Sequence, residues 1–324
     1  MIQVMTPESI PSLVAARAAD MIKTRRQFHA IPELGFEENE TSVAIADRLI
    51  AAGLEVEAGI GKTGLVGVLK GAKPGRTLMI RADIDGLPIT ELTGLDFAST
   101  NGRMHACGHD GHITMAITAA EILSDIKDQL AGTIIFVFQP AEEVVMGALA
   151  MIDDGLFDRY PADRVLGTHL WNQIPTGVIG VNRSTVFASA DQFRLTVHGK
   201  GGHGAMPHMA IDPVAAIAEI ITTSQTVVSR ELPPNEMGVL TFGQIHGGSA
   251  PNVIADNVTV EGTVRAYTSD TRLQIMQSLE RISSTVATAM RASSTFERIH
   301  GCLLYTSDAA DEGLGVDLGG RRII

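Results

Sequence analysis

Helical and strand patterns alternate from residue 40 to residue 170, and this order most constrains the fold of the chain. The predicted helices cover residues 40–52, 113–130 and 148–154, and the predicted strands cover residues 65–69, 77–84, 133–138 and 164–170. The strand at 133–138 is almost entirely apolar, as is typical of a strand buried on both faces of a sheet. Parallel strands joined by crossover helices fit this order, so we expect an α/β domain.

The order changes after Gly180, where the pattern predicts an α+β domain inserted into the first. Its predicted elements are a strand at 192–197, a helix at 213–230, strands at 238–245 and 258–267, and a helix at 271–291.

Length, charge and hydropathy exclude several classes of protein. A chain of 324 residues corresponds to about two domains of roughly 150 residues. Lys and Arg total 25 against 37 Asp and Glu, and this net charge of −12 argues against nucleic acid as a partner. No apolar stretch reaches the roughly 18 residues of a membrane-spanning helix, and Glu8, Arg17 and Asp20 interrupt the region where an export signal needs apolar residues. We therefore expect a cytoplasmic protein without a membrane or nucleic-acid partner.

The segment from Cys302 to the end differs from the rest of the chain. It has no periodic apolar face and resembles the translation of a transposon-type sequencing adapter. We therefore expect residues 302–324 to be non-native and exclude them from the fold prediction. Cys107 is then the only native cysteine, so we expect no intrachain disulfide.

The segment MHACGHDGH is the densest group of side chains that can bind metal: His105, Cys107, His109, Asp110 and His112. If this segment is extended, His105, Cys107 and His109 lie on one side, where a thiolate and imidazoles suit zinc. One alternative is a set of buried histidines bonded to backbone carbonyls. Another is a thiol protease pair of Cys107 and His109, although residues two apart seldom reach the linear geometry that such a pair needs.

Polar side chains also follow three of the predicted strands. Glu142 and Glu143 follow one strand in FQPAEE, His169 ends another in GTHLWN, and Asp83 and Asp85 end a third in RADIDGLP. One glutamate can bind a cation while its neighbour acts as a general base. Ligands gather at the carboxyl ends of strands in open α/β sheets, which favours one shared site. A solvated acidic loop and a packed core histidine are the alternatives for each motif taken alone.

The inserted segment contains polar residues suited to substrate contacts. His203 lies in GKGGHGAMPH, Asn252 in GGSAPN, and Arg265 within a predicted strand. An imidazole can stabilise an oxyanion, and Arg with Asn can hold a carboxylate. A hairpin loop with an exposed histidine is the alternative for residues 199–204.

Eight motifs in order carry a family resemblance over residues 20–270: RRQFHAIPELGFEE, RADIDGLPI, MHACGHDGH, FQPAEE, GTHLWN, GKGGHGAMPH, GGSAPNVIAD and EGTVRAY. On these motifs the chain resembles the hippurate hydrolase and N-acyl-amino-acid amidohydrolase family of metallohydrolases. The resemblance implies an α/β fold with a two-metal, aminopeptidase-like catalytic domain at 1–186 and a ferredoxin-like lid at 187–293 that can mediate a homodimer. Residues 294–301 would then begin a segment that returns to the catalytic domain.

The resemblance also implies a role for each site residue. The ligands of two divalent ions, zinc or manganese with cobalt or nickel also compatible, would be Cys107, His109, Glu143 and His169. Glu142 would be the general base and Asp83 a supporting acid. The residues that contact the substrate, a small-molecule N-acyl amino acid, would be His203, Asn252 and Arg265.

Relatives carry one more histidine ligand in the returning segment, which this sequence does not reach before its adapter-like tail. We therefore expect the chain as written to be destabilised and to bind the second metal weakly. The expected activity is hydrolysis of the amide bond of N-acyl amino acids. A dipeptidase, a deacetylase of the diaminopimelate type and an inactive metal-binding fragment are the alternatives.

Overall fold

The structure is a computed structural model that describes residues 10–181 and 188–302, together with residues 316–317 and 322–323. The chain divides into two units, residues 1–178 and residues 179–324. The predicted boundary at residue 186 and most of the predicted adapter-like tail lie outside the described residues. Among the described helices, none is both long enough and apolar enough to cross a bilayer.

The first unit is an α/β domain, as the alternation of patterns predicts. Its helices are α1 (Ile10–Ala16), α2 (Ala18–His29), α3 (Asn39–Ala51), α4 (His109–Asp125), α5 (Gly147–Asp153) and α6 (Leu156–Arg159). Its strands are β1 (Glu55–Ile60), β2 (Gly64–Lys70), β3 (Lys73–Asp83), β4 (Ala131–Gln139) and β5 (Arg164–Gly167). α4 begins at His109, four residues before the predicted start at Ile113. The metal-binding motif therefore runs into the first turn of this helix.

The sheet of the first unit is mixed, with the strand order β1-β2-β4-β3-β5. β3 is parallel to both β4 and β5, as predicted, whereas β1 and β2 form an antiparallel pair and β2 is antiparallel to β4. The connection from β1 to β2 is too short for a parallel crossover, which requires a dozen residues or more. The three parallel strands end at the same edge of the sheet.

The core of the first unit lies on both faces of this sheet. Phe136 and Phe138 of β4 pack in a cluster with residues of α2, α3 and α4, whereas Ile135 and Val137 face a second cluster that contains Met151 of α5. All four β4 side chains are buried. This two-sided burial explains the unbroken apolar run in the sequence.

The second unit has the ferredoxin-like order βαββαβ. Its main elements are β6 (Ala190–His198), α7 (Pro213–Thr226), β8 (Gly238–Gly247), β10 (Asn257–Ala266), α8 (Ser269–Ala289) and β11 (Ser293–Cys302), with a small ladder of β7 (Gly202–His203) and β9 (Val253–Ile254). The strand order in the four-stranded antiparallel sheet is β11-β6-β10-β8. This arrangement confirms the predicted ferredoxin-like fold.

Residues 294–301 belong to this sheet, which differs from the prediction that they begin a segment returning to the catalytic domain. β11 pairs with β6 along its length, and Phe296 lies opposite Leu195. The Phe296 ring also stacks on that of Phe193, with ring centroids 5.8 Å apart. The predicted boundary at residue 293 therefore separates the fourth strand from the sheet that it completes.

Adjacent residues of β6 provide a test of this packing. Phe193 is fully buried, so Phe193→Ala should lower the free energy of unfolding of this unit by about 3–5 kcal/mol. Arg194 points to the other face, where it is paired with Glu261 at 2.8 Å, and Arg194→Ala should cost about 1 kcal/mol or less. Hydrogen exchange of the β6 amides measures both values. Similar losses in the two variants would contradict the assignment of faces.

Candidate metal centre

The carboxyl edge of the parallel strands gathers the side chains that the sequence predicts for the site. Asp83 ends β3, Glu142 and Glu143 lie in the turn after β4, and His169 follows β5. Cys107 and His109 enter the same region from the start of α4. Three groups of potential ligand atoms, each within 4.8 Å of one another, share His109: Cys107 with His169, Glu142 with Glu143, and Asp83 with His112.

His109 is the centre of this cluster. Its Nε2 atom lies 3.5 Å from Asp83 Oδ2 and 3.8 Å from one oxygen each of Glu142 and Glu143. Its other ring nitrogen, Nδ1, lies 2.9 Å from the backbone oxygen of Asp85. Donation from Nδ1 to this oxygen directs Nε2 at the cluster, where it can bind a cation in place of a proton, which is the arrangement of a histidine that binds metal.

The charge around His109 favours a cation. Burial alone would lower the pKa of this imidazole, but the hydrogen bond with Asp85 and the surrounding carboxylates outweigh burial and raise its pKa to about 11. The side chain is fully buried, so water screens these interactions only weakly. The site thus stabilises positive charge at a buried point, either the proton on His109 or a cation that replaces it.

Two buried atoms of the cluster, His109 Nε2 and Glu143 Oε1, make no well-formed hydrogen bond with a described residue, although the Cys107 thiol interacts with both side chains. A buried polar atom without a good hydrogen bond is costly unless something else binds it. Cys107 Sγ lies 3.5 Å from His169 Nε2, which adds a sulfur and a second imidazole to the set. Sulfur, nitrogen and carboxylate donors around a negative site fit one or more divalent cations.

The two neighbouring glutamates differ in exposure. The Glu142 side chain is 39% exposed and that of Glu143 is 20% exposed. Burial, followed by the charges of Glu142 and Asp85, raises the pKa of Glu143 despite the opposing charge of His109. The backbone N–H of Glu143 donates to Asp85 Oδ2 at 2.9 Å. Asp85 therefore contacts both the imidazole and the acidic turn.

Asp83 is a buried carboxylate at the edge of the cluster. Burial would raise its pKa, but a hydrogen bond from His112 and the charge of Arg81 lower it well below its usual range. Arg81 Nη1 lies 2.7 Å from Asp83 Oδ2, so the two side chains form an ion pair. Asp83 is thus ionised and adds to the negative potential at His109.

His112 is a site residue that received no role from the sequence. Its Nδ1 atom lies 2.5 Å from Asp83 Oδ1, and its Nε2 atom accepts the backbone N–H of Leu170 at 2.8 Å. Both ring nitrogens are therefore engaged, which disfavours His112 as a metal ligand. Gly111 permits this approach, because a Cβ atom there would lie 2.4 Å from Leu170 Cδ1. The helical spacing of three residues from His109 could have identified His112.

His105 does not join the cluster formed by Cys107 and His109. The segment is not extended here, because the Gly108 N–H donates to the His105 carbonyl in a turn. The His105 ring is buried, and burial is the main cause that lowers its pKa to about 4. The expectation based on strand alternation is therefore wrong for this residue.

The predicted substrate residues lie in the second unit. His203 of β7 pairs with Val253 of β9, and the Gly204 N–H donates to the Asn252 carbonyl at 2.8 Å, so His203 and Asn252 are neighbours. Arg265 lies near the far end of β10. It is eight residues from Asn257, the first residue of that strand, and this separation corresponds to about 26 Å of extended chain. The structure brings two of these three residues together and places Arg265 near the opposite end of the sheet.

His112→Phe tests how the histidine supports the ligand loop. The variant keeps a ring of similar size and removes both hydrogen bonds, so we expect the affinity for Zn²⁺ to fall about 10- to 100-fold. His105→Phe is the matched control, since the His105 ring is also buried but belongs to none of the three groups of potential ligands. Competition with a chromophoric chelator measures both affinities. Equal affinities in the two variants would contradict a specific role for His112.

Comparisons with known proteins agree with this geometry. The profile of peptidase family M20/M25/M40 matches residues 79–302. An N-acyl-L-amino acid amidohydrolase of Geobacillus stearothermophilus is 42% identical over 300 residues, which cover 92% of this chain and 80% of that protein. An N-acetyldiaminopimelate deacetylase of Streptococcus sanguinis is 41% identical over 300 residues, which cover 90% of this chain and 79% of that protein.

Solved structures show the same relationship. A candidate aminohydrolase from methicillin-resistant Staphylococcus aureus has a TM-score of 0.85 and 42% identity, covering 91% of this chain and 78% of its own. A dinuclear metal-binding peptidase of family M20 from Bacillus subtilis has a TM-score of 0.75 and 34% identity. The match covers 88% of this chain and 74% of that chain. The predicted family resemblance is confirmed: the chain belongs to peptidase family M20/M25/M40.

Proposed function

We propose that this protein is a metal-dependent amidohydrolase that cleaves the amide bond of N-acyl amino acids. The observation that carries the proposal is the buried His109 imidazole, which is surrounded by the Cys107 sulfur and by imidazole and carboxylate groups from three separate strand ends. The identity of 42% with an N-acyl-L-amino acid amidohydrolase supports this substrate class.

Cys107, His109, Glu143 and His169 are the residues that we assign to two divalent cations. The thiolate and imidazoles suit zinc, and the carboxylate also suits manganese. When bound, these ions polarise the scissile carbonyl and lower the pKa of the attacking water. The lower exposure of Glu143 compared with Glu142 supports its assignment as the ligand of the pair.

Glu142 is the general base in this proposal. Its more exposed carboxylate accepts a proton from the attacking water as the water oxygen bonds to the amide carbon. The same group then delivers the proton to the amide nitrogen as the carbon–nitrogen bond breaks, which releases an amine and a carboxylic acid. Asp83 supports the reaction through its negative charge beside His109, 3.5 Å from Nε2.

His203, Asn252 and Arg265 are assigned to the substrate. The His203 imidazole stabilises the oxyanion, while Asn252 and Arg265 hold the free carboxylate of the amino acid. The separation of Arg265 from the other two within one lid favours a site that draws on two copies of the chain.

A deacetylase of N-acetyldiaminopimelate is the second candidate, because the Streptococcus sanguinis relative with that activity is 41% identical. The chemistry is the same and the amino-acid half differs. Initial rates with hippurate, N-acetylcysteine and N-acetyldiaminopimelate distinguish the candidates.

Glu142→Gln tests the proposed base. The amide cannot accept the proton, so we expect kcat for hippurate hydrolysis to fall by about two to four orders of magnitude with little change in metal content. Glu143→Gln is the matched control and should instead lower the metal content measured by inductively coupled plasma mass spectrometry. Retained turnover in Glu142→Gln with excess Mn²⁺ would contradict the role of this residue.

The proposed homodimer forms through the lid, where β8 pairs only with β10 among the described strands and carries exposed Ile245. An unpaired strand edge is a natural place for a second copy to pair. Ile245→Lys should convert the dimer to a monomer in sedimentation velocity, whereas Leu92→Lys, at an exposed position of the first unit, should leave it dimeric. A dimer that persists in Ile245→Lys would argue against pairing at this edge.

A further inference from the structure

Glu38 is a fully buried carboxylate outside the proposed ligands and base. It is the last residue of RRQFHAIPELGFEE and lies directly before α3. Its Oε1 atom accepts the backbone N–H of Ala141 at 2.7 Å, and its Oε2 atom accepts the hydroxyl of Thr63 at 2.5 Å. A buried carboxylate is unfavourable unless hydrogen bonds compensate for lost water, and here two segments supply them.

The Ala141 contact lies at the base of the turn that carries Glu142 and Glu143. Ala141 has φ 49°, a left-handed conformation that residues with a side chain rarely adopt. The carbonyl of the same residue accepts the N–H of Gly147 at 3.1 Å. Gly147 is required there, since a Cβ atom would lie 1.5 Å from the Pro140 carbonyl oxygen.

An alanine held in this conformation needs support from its surroundings. Glu38 accepts a hydrogen bond from the N–H of Ala141, and the N–H of Gly147 donates to the carbonyl of Ala141. These two hydrogen bonds hold the residue from both sides. Without the first contact, the backbone of Ala141 can relax, and the two following carboxylates move with it. Displacements of about 1 Å at a catalytic group can lower the rate about 100-fold.

We propose that Glu38 is a positioning residue that fixes the turn presenting Glu142 and Glu143 by binding the Ala141 N–H. This inference rests on the proposed function of the two glutamates. The length and hydrogen-bonding capacity of Glu38 determine the position of the turn, whereas its negative charge does not.

Two substitutions of Glu38 separate the effect of side-chain length from the effect of charge. Glu38→Gln keeps the length: its amide oxygen can accept the Ala141 N–H, and its amide nitrogen can donate to the Thr63 oxygen. Glu38→Asp keeps the charge but is one methylene shorter and withdraws from Ala141. Thr63→Val is the control, because it removes the other contact of Glu38 and leaves the Ala141 contact in place.

With excess Mn²⁺, we expect kcat for hippurate hydrolysis to fall about 10- to 100-fold in Glu38→Asp and to stay within about threefold of the wild type in Glu38→Gln and Thr63→Val. Hydrogen exchange of the peptide covering residues 140–147 should become faster in Glu38→Asp only. The positioning role is supported if kcat and hydrogen exchange stay near the wild-type values in Glu38→Gln and both change in Glu38→Asp. Equal impairment of Gln and Asp, or impairment of Gln alone, would overturn it.

Hydrogen exchange separates this inference from the proposed function. If the wild type hydrolyses no N-acyl amino acid but exchange still becomes faster in Glu38→Asp alone, the proposed activity fails and the positioning of the turn stands. If the wild type is active and Glu38→Asp matches it in both kcat and exchange, the positioning role fails and the activity stands.

Discussion

The concentration of negative charge around one buried imidazole is the constraint on which the site depends. Asp83, Glu142 and Glu143 all approach His109 Nε2 within 4 Å, and the imidazole itself is fully buried. Like charges gathered in a region of low dielectric repel strongly unless positive charge lies among them. Three parallel strands end at one edge of the sheet, so rigid elements hold the carboxylates close together there.

Hydrogen bonds to neighbouring groups hold the cluster in place. Asp85 binds both His109 and the Glu143 N–H, while His112 links Asp83 to the backbone of Leu170 beside His169. Each of these contacts joins segments that are distant in sequence. The orientation of His109 and of Glu143 is therefore set by Asp85, which itself need not bind metal.

Much of the fold could be predicted from the sequence, because its signals are local. The apolar run of β4 indicates burial on both faces, and strand ends followed by polar residues indicate the edge where the site forms. The failure at His105 has a local cause, since a turn rather than an extended strand leads into α4. The strand at 293–302 was missed because its pairing with β6 depends on residues far away along the chain.

Glu38 shows the limit most clearly. In the sequence it is one of two acidic residues before a helix, a common solvated position, and only the fold brings it to Ala141, 103 residues away. The helical spacing from His109 could have identified His112. The hydrogen bonds of both its ring nitrogens, however, depend on the loop after β5. Contacts of this kind are set by topology rather than by local pattern.

The central claim is that the sulfur of Cys107 shares a cation with the imidazoles and carboxylates at this edge. Electronic absorption of the Co²⁺-substituted protein tests it most directly, since a cobalt–thiolate bond produces an intense charge-transfer band in the near ultraviolet. We predict that this band appears in the wild type, persists in Cys302→Ser and is lost in Cys107→Ser. A band that is unchanged in Cys107→Ser, or absent from the cobalt-loaded wild type, would contradict it.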